Sequence, residues 1–365
     1  MQLLIITGHS QLLRSATALA TACAAARAGQ RVLVASTGPL HTLGALLGSR
    51  LGSRSLELEP NLAAMEIVAL DEAAQRWDSL RPSLRSGLAA RLKDIGPDEI
   101  PSFPGIDEVG TILVAERAAQ AGRFDLLVVD GPTPEGLIRT LSLPDLLRWT
   151  VRLVFGLDRG PGRSRSSQEA AMIPAALIGQ TALAPLQDLR VSLEQQRARL
   201  EGASGARVRL ALSAPELGLS ATRDALVGLG LYGLEVDQVV VDTSQTPLDE
   251  AARQAFNDGP NRPTLTSGSL DSSPTNIAGW ATRGEALYGA AGGGLSDVVH
   301  TASGEREIRL HVPFIDAKAL DVAMASEELV LRLGQFRRHL LLPALAAGGK
   351  LRARVEGEIL RLWVE

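Results

Sequence analysis

Leu3-Leu4-Ile5-Ile6-Thr7-Gly8-His9-Ser10-Gln11-Leu12-Leu13-Arg14-Ser15, followed by an Ala-rich stretch to Ala28 and by Arg31-Val32-Leu33-Val34-Ala35-Ser36, decides the fold. The run Leu3–Ile6 is apolar without alternation, as a strand covered on both faces must be. Gly8 to Leu13 reads as a loop. Arg14 to Ala28 is alanine-rich and reads as a helix, with Gly29 as its C-terminal stop. Arg31 to Ser36 is a second apolar strand. A strand, a helix and a strand of this kind form a parallel βαβ unit.

The same rhythm continues outward. Met65 to Leu70 reads as a strand and Asp71 to Asp94 as a helix interrupted by Pro82. Gly105 to Ala121 is a further expected helix. Phe124-Asp125-Leu126-Leu127-Val128-Val129-Asp130 is an apolar strand ending in a carboxylate. Pro144 to Leu157 reads as an amphipathic helix. Asp158 to Gln168 reads as a loop carrying Arg159, Arg163 and Arg165, and helices are expected over 170–183 and 186–200. Then Arg207 to Ser213 is a strand, Leu219 to Leu231 a helix and Val236 to Asp242 a strand. Asn257 to Thr275 reads as an irregular loop. Beyond Glu305 the pattern changes to short period-two segments such as Ile308-Leu310-Val312 and Leu329-Leu331-Leu333, broken by Pro313, Gly334, Pro343 and Gly357. The expected architecture is α/β: a parallel sheet with helices on both faces over 1–300, a helical insertion at about 143–202, and a small all-β sandwich over 305–365. Gly292-Gly293-Gly294 is the expected hinge between them.

Composition narrows the function classes. The 365 residues are 45% hydrophobic and 21% charged, which is ordinary for a globular chain. A net charge of -4 gives no global basic field for nucleic acid or anionic lipid. Aromatics at 3% argue against a surface that stacks on bases. Cys23 is the one cysteine, so no disulfide framework, paired-cysteine metal site or CxxC redox motif is available within the chain. No run of 18 apolar residues and no basic-then-apolar leader is seen, so a soluble cytoplasmic protein without a transmembrane segment is expected.

A phosphate-binding loop is a strand, then GxxxxGK[ST], then a helix. Gly8 to Ser15 fits that register. Gly8 starts it, Arg14 stands at the lysine position, and Ser15 supplies the Mg²⁺-binding hydroxyl. Leu13 replaces the second glycine, where a side chain costs about 1–2 kcal/mol if the backbone must be left-handed. On its own the motif is too degraded to separate from an ordinary βα turn.

Its neighbours bring in a family. Ser36-Thr37-Gly38-Pro39-Leu40-His41-Thr42-Leu43 is similar to a first switch of the form S-T-D-P-A-H-S-L. Asp130 and the later Arg139-Thr140-Leu141-Ser142-Leu143-Pro144-Asp145-Leu146-Leu147-Arg148-Trp149 resemble a second switch and its helix. Ala214-Pro215-Glu216, Ser220-Ala221-Thr222-Arg223 and Tyr232 to Asp242 match a further segment. On these stretches the chain resembles the ArsA-type ATPases: arsenical pump-driving ATPases and the guided-entry ATPases that target tail-anchored membrane proteins. The terminal β module resembles the small heat-shock-like domain appended to some members.

The resemblance implies a P-loop NTPase-like fold for the α/β sheet, ATP and Mg²⁺ as cofactors, a homodimer, and a hydrophobic protein segment or membrane-protein client. It places Gly8, Arg14, Ser15, Asp130 and Asp242 at a nucleotide, with Ser15 and Asp130 serving Mg²⁺ only where a nucleotide binds. The departures bear on catalysis. His9 stands where the family has a second lysine, and Gly38 replaces the switch-one carboxylate that polarises the attacking water. Asp130 is the remaining candidate catalytic residue, with capping of a strand end as its other reading. Metalloid capture through several cysteines and a zinc-bridged dimer both require thiols that are absent, and Cys23 reads as core. For the client, the insertion offers Leu146, Leu147, Val151, Val154, Phe155, Met172, Ile173 and Leu177, which can equally pack on one another. The function expected is an ATPase-like protein that holds hydrophobic segments, with weak or lost hydrolysis. The alternatives are an active ATPase with an unusual loop and a non-catalytic scaffold.

Overall fold

The computed structural model describes residues 1–38, 40–83, 94–99, 121–155, 206–270, 274–287, 297–300, 306–325, 328–341 and 351–364, with single positions at 118, 191, 195, 197 and 200. The chain runs β1 (Gln2–Thr7), α1 (Gln11–Arg27), β2 (Val32–Ser36), α2 (Thr42–Leu47), β3 (Leu56–Glu59), β4 (Leu62–Glu66) and α3 (Ala69–Leu80). It continues with β5 (Leu126–Asp130), α4 (Pro134–Phe155), β6 (Arg207–Ser213), α5 (Ser220–Leu231), β7 (Glu235–Asp242), α6 (Glu250–Asn257), β8 (Thr264–Gly268) and α7 (Ile277–Gly284). Eight strands form one sheet in the order β3-β4-β2-β5-β1-β6-β7-β8, parallel except for the edge strand β3. The expected α/β sheet is therefore present.

Apolar layers on the two faces hold the sheet. One gathers Ile5, Leu127 and Val129 with Leu137 and Leu141 of α4 and Leu226 and Leu229 of α5. The other gathers Ile6, Val34 and Val128 with α1 and α7. The alanines of α1 have a packing reason beyond helix propensity: twelve successive residues, Arg14 to Ala25, are buried because the helix lies between the sheet and α7. Contact with α7 is so close that a Cβ on Gly284 would overlap the Ala20 carbonyl.

The expected element bounds shift in several places. The helix after β1 starts at Gln11, three residues earlier than expected. The strand expected at Met65–Leu70 ends at Glu66, because it begins earlier and pairs with β3 as a hairpin turned at Asn61, whose φ is 69°. β8 and α7 lie in and just beyond the stretch expected to be irregular. α4 begins at Pro134 and carries Pro144 inside it. Ser142 donates its hydroxyl to the Ile138 carbonyl in that turn. The helices expected over 105–121, 170–183 and 186–200, and the glycine hinge at 292–294, lie mostly or wholly outside the described residues.

The C-terminal module comprises β9 (Asp297–His300), β10 (Arg306–His311), β11 (Leu320–Ala325), β12 (Glu328–Leu333), β13 (Phe336–Leu341), β14 (Leu351–Glu356) and β15 (Ile359–Val364). They form antiparallel sheets β14-β15-β10-β9 and β11-β12-β13. β9 pairs with β10, so the module's first strand lies before residue 305.

This module is docked on α5 and β7. Leu231 of α5 is buried among Leu310, Val312, Leu329, Leu331 and Leu360. Arg338 donates to the Leu231 carbonyl at 2.7 Å, and Tyr232 donates its hydroxyl to the Arg337 carbonyl at 2.5 Å. At the seam His311 Nδ1 meets Glu235 Oε1 at 3.1 Å. Arg262 pairs with Glu358, which also accepts from the Phe314 amide at 2.8 Å.

Burial opposes charge on His311, but hydrogen bonds and attraction from Glu235 and Glu358 outweigh it and raise its pKa to about 9. A raised pKa gives stability that is complete below the ordinary histidine range and lost as pH climbs through 9. The thermal midpoint of the wild type is therefore expected to fall between pH 6.5 and 9.5, and His311→Gln to flatten that slope. Calorimetry across the range checks it; parallel pH profiles of the two proteins would show that the seam imidazolium contributes nothing.

Candidate functional site

Parallel pairing sets Asp130 beside Ile6 on one side and Ser36 on the other, with Glu66 beyond Ser36. These positions are the carboxyl ends of adjacent strands, where open α/β sheets gather ligands. Asp130 is the hub. Its Oδ2 accepts from Ser15 Oγ at 2.6 Å and from Ser36 Oγ at 2.8 Å. Its backbone carbonyl accepts from the Thr37 amide at 3.2 Å. Burial pushes the Asp130 carboxyl up to about 6, against the lowering effect of Ser15, Arg14 and Ser36.

The loop before α1 is short. Gly8 is held by close approach: a Cβ there would overlap the Ala211 carbonyl of β6. Ser10 caps the helix, with its hydroxyl accepting from the Leu13 amide at 3.4 Å. The Arg14 amide is already in the helical ladder, donating to the Ser10 carbonyl at 3.1 Å. Gln11 to Arg14 are thus a helical turn where a phosphate-binding loop would be open. The strain expected at Leu13 does not arise, because Leu13 is helical and packs against the α1 side of the core.

Arg14 folds back into the turn. Its Nη1 donates to the Gly8 carbonyl at 2.5 Å and to the His9 carbonyl at 3.2 Å. Its Nε lies 3.7 Å from Asp130 Oδ1, and both atoms are buried without a hydrogen bond. Burial lowers the Arg14 pKa while Asp130 opposes that shift. The carboxamide of Gln11 lies where a Cβ on Gly38 would go. Above the turn, His9 stands between Glu135, at 3.3 Å, and Glu216, at 3.6 Å.

As folded here, this donor set does not fit a nucleotide phosphate. The Leu13 and Arg14 amides are engaged with Ser10, Arg14 is committed to the loop's own carbonyls, and Ser15 donates to Asp130. The surrounding side chains Glu135 and Glu216 are acidic.

The structure brings Gly8, Arg14, Ser15 and Asp130 together, with Asp242 at the end of β7. Asp242 Oδ1 accepts from the Ser244 and Leu270 amides at 3.1 and 2.8 Å, and Oδ2 from Ser244 Oγ at 2.7 Å. Its carboxylate closes a loop at the end of β7. Cys23 is buried in α1, and burial pushes its thiol up to about 12. Of the client candidates, Leu146 is exposed on α4 at 58%. Leu147, Val151, Val154 and Phe155 are on the same helix with side chains outside the described residues, as are Met172, Ile173 and Leu177 altogether. Gln11, His41 and Glu66 were not anticipated as site residues. A charged residue ending the apolar run Leu62–Met65 is the one signal that could have revealed Glu66.

Comparison with known proteins agrees with the α/β sheet and its appended β module. The anion-transporting ATPase family model matches residues 1–257, and the model of the HSP20-like domain found in ArsA matches 303–362. A Chlorobaculum tepidum protein named for the arsenical pump-driving ATPases is 31% identical over 66% of this chain and 61% of its own length. The match thus spans about three-fifths of that relative. A Streptomyces coelicolor protein whose name carries no activity is 29% identical over 99% of this chain and 95% of its own. The ATPase GET3 of Rhodotorula glutinis is 22% identical over 68% and 71%. The chain belongs to the anion-transporting ATPase family and carries that family's HSP20-like domain.

Arg14→Leu leaves Asp130 as a buried carboxylate without its cation and is expected to cost about 3–5 kcal/mol. Adding Asp130→Asn to Arg14→Leu is expected to recover a good part of that loss. Urea unfolding of the two single variants and the double variant checks it. Additive losses would mean the pair is not coupled.

Proposed function

We propose that this member of the anion-transporting ATPase family holds hydrophobic protein segments, including those of membrane-protein clients, with ATP hydrolysis weak or lost. It acts in this reading as a cytoplasmic homodimer without nucleic-acid partners. The observation that carries the loss of hydrolysis is the helical turn Gln11–Arg14, with Arg14 bound to the Gly8 and His9 carbonyls. Phosphoryl transfer depends on positioned donors and a positioned nucleophile. Here the lysine positions hold His9 and Arg14, and Gly38 brings no carboxylate.

Client holding is supported by the exposed Leu146 and by a physical link from the insertion to the appended module. Arg197 pairs with Asp145 of α4 at 2.8 Å and reaches the His339 carbonyl of β13 at 3.4 Å. Among the described residues no helix is long and apolar enough to cross a membrane.

Two measurements on the full chain test the reading. Calorimetric titration with ATP and Mg²⁺, joined to a phosphate-release assay, is expected to show no turnover above background. Sustained turnover that Arg14→Ala and Asp130→Asn abolish would establish instead an active ATPase using this loop. A labelled transmembrane-type peptide is expected to be kept soluble by the wild type and several-fold less by Leu146→Asp. Equal capture by both would remove α4 from the client surface.

A further inference from the structure

A second polar centre lies at the end of β4, beside the Asp130 cluster, and makes its hydrogen bonds to other partners. Glu66 ends β4 and is buried, with 2% of its surface exposed. Its Oε1 accepts from the Gly44 amide at 2.9 Å, and its Oε2 lies 2.9 Å from His41 Nδ1. A carboxylate accepts, so Nδ1 carries the proton and Nε2 is the outward nitrogen of the ring. Nε2 makes no hydrogen bond among the described residues. His41 also sits in the left-handed region, with φ at 50°, a conformation uncommon outside glycine and concentrated at functional sites.

Glu66 and His41 line a cavity of about 600 Å³ with Gly44, Ser49 and Arg50. Arg50 is exposed and has no hydrogen bond or ion pair among the described residues. Burying a carboxylate costs free energy unless its bonds return it. Here those bonds fix one imidazole and the start of α2, both at the cavity wall. A carboxylate-backed imidazole presenting Nε2 beside an uncommitted guanidinium is a pair of groups suited to an anion with an adjoining hydroxyl. Arginine's planar fork matches the two oxygens of a carboxylate or phosphate.

We propose that the His41–Glu66–Arg50 cavity binds a small molecule bearing a compact anionic group, phosphate or carboxylate, which Arg50 clamps while His41 Nε2 contacts the neighbouring hydroxyl. The site lies off β2 and β4, whereas Gly8, Arg14 and Asp130 lie at β1 and β5. It uses different side chains from the Asp130 cluster and does not rest on the client-holding reading.

The test titrates the full chain with inorganic phosphate and, separately, with succinate, by calorimetry and by the ¹⁵N shifts of labelled histidine. One of the two is expected to bind saturably and to move the His41 signals, and which one does so assigns the anion class. Arg50→Ala is expected to weaken that binding by about tenfold or more, a loss the size of one charge-assisted bond. Glu66→Gln, which keeps the shape, is expected to weaken it several-fold and to change the His41 tautomer signature. Arg54→Ala removes a nearby exposed charge and is expected to leave binding unchanged. The proposal is overturned if neither anion binds saturably, if Arg50→Ala and Arg54→Ala weaken binding alike, or if binding leaves the His41 signals in place. Arg50 and Arg54 are both exposed, so circular dichroism matching the wild type is expected for each variant.

Discussion

A buried carboxylate at the end of a central strand constrains everything around it. Asp130 sits where β5 leaves the sheet, and a charge in that position is costly unless donors surround it. Ser15 from α1 and Ser36 from β2 supply hydroxyls, and Arg14 supplies the opposite charge. Two elements of the βαβ core, α1 and β2, are thereby tied to β5 by polar contacts. That requirement outlives any need to bind phosphate. It explains how an arginine can persist at a lysine position while facing inward: in this chain Arg14 answers Asp130 and the loop carbonyls.

The same constraint accounts for what was legible in the sequence and what was not. The parallel sheet was readable because Leu3–Ile6, Val32–Ala35 and Leu126–Val129 are uninterrupted apolar runs, and only burial on both faces explains such runs. The family was readable because its switch segments keep their spelling around those strands. Gly8, Arg14, Ser15 and Asp130 lie together in space because β1 and β5 are neighbours in that sheet. The helical state of Gln11–Leu13 was not readable. Its letters fit the register of an open loop, and the helix is chosen by tertiary contacts: Ser10 caps it and Leu13 finds core to pack against. β8 was hidden by its turn-rich composition, since Thr264–Gly268 borrows its strand state from pairing with β7. Glu66 was hidden because the strand bounds were misplaced by three residues.

The appended module changes how the α/β body should be regarded. An all-β domain behind a glycine-rich segment suggests a tethered arm. The contacts instead bury Leu231 of α5 inside the module's apolar core and bring Arg338 onto its carbonyl. α5 consequently serves two cores, with Leu226 and Leu229 facing the sheet and Leu231 facing the module. Ion pairs at the seam then fix the orientation rather than supply the attachment. Excluding water there makes the His311–Glu235 pair costly to bury, and its 3.1 Å contact, with Glu358 3.9 Å from the other ring nitrogen, offsets that cost.

The strand ends of one sheet face need not share one chemistry. The carboxyl edge of a parallel sheet is polar by construction, since strands end there in exposed carbonyls and side chains that loops must satisfy. In this chain the edge holds Glu66, Ser36 and Asp130 in register on neighbouring strands. The β1 turn has closed around Arg14, which removes one opening in that row. The opening beside β4 has its own wall, built from α2 and Glu66, with donors from Gly44 and His41. Each strand end has its own donors for its buried carboxylate, and beside Glu66 the guanidinium of Arg50 makes no hydrogen bond or ion pair among the described residues. In this architecture the apolar layers set the fold, and the strand ends are free to differ in chemistry one by one.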